Sequence, residues 1–406
     1  MKKRNLKVKT VGRSLFHKTG TLALGVTILS ILIYLNIFSH LNGENLIKQG
    51  PGGLPPQISL FQDLLYTPQV SQYLIETDEW ASGWGDSEIR SQLDRDDILL
   101  LKNTPLITQQ IGKTYSFRPE IGLQDYNEFT LNEAPEGMSV QDGEITWIPD
   151  ENQVGENNIA LRLSDSDGLE YEAVYSVIVT EEFFPLGTNR RGQSLSGLIV
   201  AGSKWTIVPG LIAASIAIFI GGFMGAVSAY HKDQLDSVLS YIADTTESVP
   251  ALIIVFLIAA ATQFNVYYIM IGVGIVLLPS VQNIIRSNTL QFVENQFVES
   301  SSEIGFKDRI ILWREIIWYN CKSDLISLAT YCFAFSILIE VTISYLGLGV
   351  QIPDISWGVL LAEGRSSLLR EEYWMTVFPA LAITASILGF IFLGAGLKQK
   401  FDPKLK

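Results

Sequence analysis

Cysteine, histidine and charge are all scarce in this chain. Its 406 residues include 2 cysteines and 3 histidines, and only 17% of positions are Asp, Glu, Lys or Arg. Cys321 and Cys332 sit at the start of an apolar run and inside it, so they support neither a disulfide framework nor a thiolate metal site. His17, His40 and His231 stand at the edges of apolar runs and read as interfacial residues. No HExxH, GxSxG or paired-cysteine pattern occurs, which removes the usual signatures of a metalloprotease, a serine hydrolase and a zinc or redox centre. Ile111 to Thr114 spells IGKT, but Ile107 stands where a phosphate-binding loop needs its first glycine. The chain reads as a non-enzyme with no cofactor of its own, and nothing in it suggests nucleic acid.

Apolar residues are plentiful, at 48% of the chain, and they are clustered. Thr19 to Ser39, Trp205 to Tyr230 and Tyr373 to Leu397 are uncharged runs of 21, 26 and 25 residues. Each exceeds the roughly 20 residues that cross about 30 Å of hydrocarbon. Ser248 to Ile285 is uncharged for 38 residues, about 57 Å as one helix at ~1.5 Å per residue. It is therefore expected to fold as a hairpin turning near Gln263 to Asn265. A further run follows Asp324 and is interrupted only by Glu340. The expected spans are 19–39, 205–230, 246–263, 266–285, 325–346 and 374–397, six in all.

Lys and Arg flanks set the expected orientation. Seven basic residues and no acid precede the first run, which places residues 1–18 as a cytoplasmic basic tail rather than the start of a cleaved signal peptide. With six spans the other end returns to the cytoplasm, in agreement with Lys398, Lys400, Lys404 and Lys406. The polar segment 290–322 is then a cytoplasmic loop, and a soluble partner could grip it.

The net charge of −13 is a regional property, because Glu44 to Glu182 holds 26 acidic and 7 basic residues. The external region divides in two. Residues 40–104 begin with a Pro/Gly-rich stretch and continue through SEIRSQLDRDD, which reads as irregular or partly helical. From 105 to 182 the pattern becomes alternating and rich in Tyr, Phe, Val and Ile, with Pro, Gly and Asp turns at short intervals, the pattern of a β-sandwich. Asp165 and Asp167 in SDSDG are weak candidates for Ca²⁺, with a plain turn as the simpler reading.

Two resemblances sharpen this outline. Ala134, Pro135, Gly137, Met138, Gly143, Ile145, Trp147, Pro149, Gly155, Asp165 and Gly168 follow the pattern of the cadherin-like, immunoglobulin-like repeats of bacterial surface proteins. This implies one all-β sandwich inserted in the first external loop, with protein contact or shielding as its role. Glu299-Ser300-Ser301-x-x-x-Gly305 and the amphipathic stretch ending at Ile316-Ile317 resemble the coupling loop of binding-protein-dependent ABC transporter permeases. Ser300 and Ser301 stand where that family has alanines, and Trp318 where it has proline. Ser344 to Gly349, then Gln351, Pro353 and Ser356-Trp357-Gly358, are similar to the LSFLGLG-x-Q-x-P-x-x-SWG run of the dipeptide, oligopeptide and nickel branch. Asp402 to Leu405 follows the same branch, and Leu186 to Gly192 resembles its LGTDxxGRD motif with Asn189, Gln193 and Ser194 in place of the charged residues.

The resemblance implies an α-helical membrane protein of the ABC importer permease type in a bacterial or archaeal cytoplasmic membrane, with residues 183–406 as the permease core. It implies a second homologous permease, two cytoplasmic ABC ATPases that hold the ATP and Mg, an external solute-binding protein, and the lipid bilayer as partners. Glu299, Ser300, Ser301, Gly305, Phe306, Lys307, Asp308, Arg309 and Ile310 are the expected ATPase-coupling element. Glu340, the one acid expected well inside a span, and the Gly347 to Gly349 turn are the expected pathway or gating residues, since a charge at the bilayer centre costs roughly 3 kcal/mol or more. The expected cargo is a short peptide or a similar small solute. The alternative is a surface interaction or sensory membrane protein built on a permease scaffold.

Overall fold

The structure is a computed structural model. It describes residues 47–58, 61–62, 70–77, 88–92, 100–103, 105–122, 126–165, 169–231 and 234–401, together with much of 20–37. The basic tail and the Asp402 to Leu405 motif lie outside the described residues. The chain divides into two units. One comprises 1–46, 198–365 and 376–406; the other comprises 47–197 and 366–375.

The first unit is helical and built on apolar length. Four helices are long and apolar enough to cross a membrane: α2 (Leu195–His231), α5 (Val266–Val293), α7 (Asp308–Tyr345) and α9 (Trp374–Phe401). Between α2 and α5, α3 (Gln234–Glu247) and α4 (Ala251–Ala261) meet at 84° and together make a fifth candidate span. α1 (Leu22–Tyr34) is a shorter apolar helix, and the ends of the expected 19–39 span lie largely outside the described residues. α6 (Gln296–Glu303) precedes α7, and α8 (Trp357–Ser367) follows it.

These helices approach closely through small residues, as lipid-embedded helices do because no hydrophobic drive separates apolar side chains from lipid. A Cβ at Gly225 would lie 2.5 Å from the Gln282 carbonyl oxygen, and one at Gly221 2.8 Å from that of Leu278, so α2 and α5 meet backbone to backbone. α1 meets α9 in the same way, with a Cβ at Gly25 reaching 2.4 Å from Leu393 N. Asp236 of α3 accepts a two-pronged bond from Arg286 of α5 at 2.6 and 2.5 Å.

The span expected at 246–263 is corrected by the structure. The helix stops at Glu247 and restarts at Ala251, because Pro250 has no N–H and disfavours helix in the residue before it. The turn into α5 falls at Thr262 to Asn265, where Gln263 and Phe264 take positive φ and Asn265 caps α5 by accepting from Tyr267 N. A second correction concerns the expected amphipathic helix ending at Ile316-Ile317. That stretch forms a π-helical segment, Ile311–Cys321, and runs without a break into Lys322–Tyr345.

The second unit is β-rich. One sheet has the order β2-β1-β9-β8-β5, with β3 pairing parallel to β9 beyond the end of β1; a smaller sheet has the order β4-β7-β6. The strands are β1 Ser71–Thr77, β2 Glu88–Gln92, β3 Thr108–Gln110, β4 Tyr115–Phe117, β5 Tyr126–Glu133, β6 Ser139–Gln141, β7 Glu144–Trp147, β8 Gly155–Asp165 and β9 Glu170–Thr180. Tyr115, Phe117, Ile145 and Trp147 from the smaller sheet share one buried cluster with Ile159, Leu161, Leu163, Tyr175 and Val177 from the larger. The expectation of irregular or helical structure in 40–104 fails at β1 and β2. Glu88–Gln92 looks helix-permissive in isolation, but backbone pairing at a sheet edge overrides a weak local preference.

Candidate functional site

Two places gather the candidate residues, and both depend on helix ends. At the end of α6, Gly305 takes φ +90°. Gly305 N bonds to Ser302 O at 3.0 Å and Phe306 N to Ser301 O at 3.1 Å, the double bond of a Schellman turn. The turn needs a residue that tolerates positive φ, and glycine does so without a Cβ clash. Among the described residues, nothing beyond its chain neighbours lies within 4 Å of the Cβ position at Gly305, so the glycine is held by backbone geometry and faces open space.

Eight of the nine candidate coupling residues are exposed and Ser301 is half-buried, its hydroxyl donating to Phe297 O at 2.7 Å. That bond explains how serine sits inside α6 without an unpaired donor. Asp308 opens α7 and accepts from the Tyr230 hydroxyl at 3.0 Å. Exposed Ile304, Phe306 and Ile310 and a 66% exposed Trp318 surround the segment. Where the resembling family has a helix-breaking proline, Trp318 lets the helix continue.

The other place is the far end of α7. Glu340 is completely buried; its Oε1 accepts from Ser344 Oγ at 2.8 Å, while Oε2 makes no hydrogen bond. The hydroxyls of Ser356 and Thr206 lie around the same carboxyl. Both also serve the start of α8, since Thr206 Oγ1 accepts from Trp357 N at 3.1 Å and Ser356 Oγ from Val359 N at 3.4 Å. Ser356 is thus an N-cap, and capping and carboxyl contact fall on one hydroxyl.

Gly347 ends α7 with φ +77° and repeats the Schellman pattern, Gly347 N to Ser344 O at 3.1 Å and Leu348 N to Ile343 O at 2.8 Å. The chain then doubles back over Glu340. A Cβ at Gly349 would fall 2.2 Å from Ser344 Oγ, and one at Gly358 2.6 Å from Val341 O, so the return path has no room for side chains. Trp357 is fully buried and donates through Nε1 to Ile199 O at 2.8 Å. The SYLGLG and SWG residues therefore form one cover over one acid. Thr206 was not foreseen, because a threonine inside an apolar run carries no signal; Ser356 was visible in the motif but not as a partner of Glu340.

In the β-rich unit, the flanking segments are tied by the LGTNRRG turn. Thr188 N bonds to Leu54 O and Leu54 N to Thr188 Oγ1, each at 2.9 Å. Asn189 Oδ1 accepts from Arg191 N at 3.0 Å and from Gln193 N at 2.9 Å, and its Nδ2 donates to Gln193 Oε1 at 2.9 Å. A neutral amide pair thus occupies the two positions where the resembling motif has Asp and Arg. Asp165 ends β8, and Asp167 lies outside the described residues.

Among the described residues, four to five candidate spans, an exposed segment between two of them and an acid buried near the far end of one define a helical membrane protein with a separate β-rich region. Residues 217–406 match the family model of the binding-protein-dependent transport system inner membrane component, so the β-rich residues lie outside the matched part. A putative peptide transport system permease protein of Brucella suis is 30% identical over 220 residues, covering 54% of this chain and 73% of that protein. A glutathione transport system permease of Pectobacterium atrosepticum is 28% identical over 221 residues, covering 54% and 73%. A probable D,D-dipeptide transport system permease of Escherichia coli K12 is 29% identical over 221 residues, covering 54% and 72%. The chain belongs to the family of binding-protein-dependent transport system inner membrane components, and it is a permease subunit of an ABC importer.

Proposed function

We propose that the chain forms half of the translocation pathway for peptides or similar small solutes and couples it to a separate ATPase. The observation that carries the coupling is α7 itself. One unbroken helix, Asp308–Tyr345, begins in the exposed segment at Asp308 and ends at the covered acid Glu340. A push on its exposed end is transmitted along a rigid element to the cover made by Gly347, Gly349 and Trp357. The two helix bundles then rock between inward-open and outward-open states, each biased by nucleotide or substrate.

In this reading Glu299, Ser300, Ser301, Gly305, Phe306, Lys307, Asp308, Arg309 and Ile310 contact the ATPase, and Glu340, Gly347 and Gly349 hold the gate. The partners are a second homologous permease, two cytoplasmic ATPases that bind ATP and Mg, and an external solute-binding protein. Six spans, with α1 as the first and α3 with α4 as the third, put both ends of the chain in the cytoplasm. The β-rich unit is then external, an immunoglobulin-like or cadherin-like sandwich. The peptide class rests on the names of the relatives.

The test is ATP-driven uptake of a labelled dipeptide by proteoliposomes holding the whole complex. Gly305→Val is expected to abolish uptake while the complex still reaches the membrane. Uptake at the unmodified rate overturns the coupling assignment.

A further inference from the structure

An open groove of about 1070 Å³ runs between the last turns of α2 and the start of α7. Phe223 and Val227 of α2 line one side, and Arg309 and Arg314 of α7 line the other. Phe223 stacks on Trp313 with ring centroids 5.6 Å apart and planes at 16°, yet it remains 53% exposed. Phe223 stands two helical turns before the end of α2 at His231, about 12 Å at ~1.5 Å per residue. With the end of α2 at headgroup level, Phe223 lies at hydrocarbon depth. Tyr230, beside the end of α2, supplies an amphipathic ring that favours that boundary, and Trp313 lies level with Phe223.

The polar rim has cations available. Arg314 has Glu315 at 3.5 Å, but the Arg314 side chain is 62% exposed, and such exposed pairs contribute little. Asp308, the acid on the groove, accepts from the Tyr230 hydroxyl. Apolar Phe223 and Val227 beside Arg309 and Arg314 match an acyl chain and an anionic headgroup together, and basic pockets between spans suit such headgroups.

We propose that this groove holds one anionic phospholipid, with its phosphate between Arg309 and Arg314 and an acyl chain along Val227 and Phe223. The site adjoins the first turn of α7, so the lipid braces the helix that the coupling reading relies on. Its occupancy does not depend on that reading.

The test titrates the purified full-length chain in mild detergent with phosphatidylglycerol or phosphatidylcholine and counts retained lipid by native mass spectrometry. Saturable retention of phosphatidylglycerol is expected, weakened about fivefold for each arginine removed in Arg309→Gln and Arg314→Gln. Val227→Trp fills the groove without touching charge and should displace the lipid. Arg314 is exposed, so its variant stays informative if Val227→Trp fails to fold. Equal retention of both lipids, or unchanged retention in the arginine variants, overturns the proposal. So does a label at Val227→Cys that is shielded only when the ATPase is added, since the occupant is then protein.

Discussion

The turns at Gly305 and Gly347 share one backbone pattern and open space at the glycine itself, and differ in what the chain does next. Each ends a helix through the same pair of bonds and each requires positive φ. Gly305 has open space on its outer side and exposed Ile304 and Phe306 as neighbours. Gly347 leads into a return path in which Gly349 is wedged against Ser344 and Glu340 is sealed from solvent. One local device thus serves two ends. After Gly305 the chain stays exposed and offers a surface to another molecule, whereas after Gly347 it folds back at Gly349 and stores its contacts inside the chain. Damage at the first should therefore appear in function and damage at the second in folding.

The hardest test of this contrast is a matched pair. Gly349→Val drives a side chain into Ser344, and overpacking of this kind costs about 1–3 kcal/mol, so the yield of folded, detergent-stable protein should collapse in size-exclusion and thermal-melt assays. At Gly305 a Cβ has open space, so Gly305→Val carries mainly backbone strain of about 1–2 kcal/mol. It should fold, with uptake lost. If both fail to fold alike, the distinction between the two turns is gone.

Replacing Glu340 sharpens the covered end. Glu340→Leu leaves the Ser344 hydroxyl facing an apolar group, and a buried donor deprived of its partner costs about 1–3 kcal/mol. Melting temperature and uptake should both drop. Glu340→Gln keeps an acceptor for Ser344 and adds a donor on the Oε2 side, so it should retain most of the stability. A glutamine variant as damaged as the leucine one would show that charge, and not hydrogen bonding, holds the cover.

Smaller effects are expected at the exposed end. Ile304→Ser and Phe306→Ser should change the melting temperature little, within about 0.5 kcal/mol, as surface substitutions generally do. Recovery of the ATPase with the tagged permease should nevertheless fall. A loss of stability without a loss of ATPase would move these residues to the interior class.

The smallest effect concerns buried polarity outside the membrane unit. The hydroxyls of Tyr115 and Tyr175 lie buried beside each other in the β core. Burial pushes the Tyr115 phenol well above its ordinary range and that of Tyr175 up to about 12. The unfolded phenols lose their protons near 10 while the folded ones keep them. The contribution of these groups is therefore complete below pH 10 and declines as pH rises toward 12. Tyr175→Phe should blunt that alkaline decline in a thermal melt and leave uptake at neutral pH unchanged. A fall in uptake would mean that buried polar groups matter beyond Glu340.

Apolar length, basic flanks and three spaced motifs were legible in the sequence because each is a local property of composition or order. They were enough to mark α2, α5, α7 and α9 as membrane helices, to separate off an acidic β-rich insert, and to point at Gly305, Glu340 and Gly349. Other features depend on what the chain meets in three dimensions. β1 and β2 became strands because the edges of a sheet were there to pair with them. Pro250 broke a span that length alone would have left whole, and Trp318 left α7 continuous through a π-helical segment. Thr206 and Ser356 came to Glu340 from α2 and from the cap of α8, positions far apart in sequence. Periodicity and motif report what a segment prefers, but backbone pairing and the satisfaction of a buried carboxyl are decided only when distant segments close on one another.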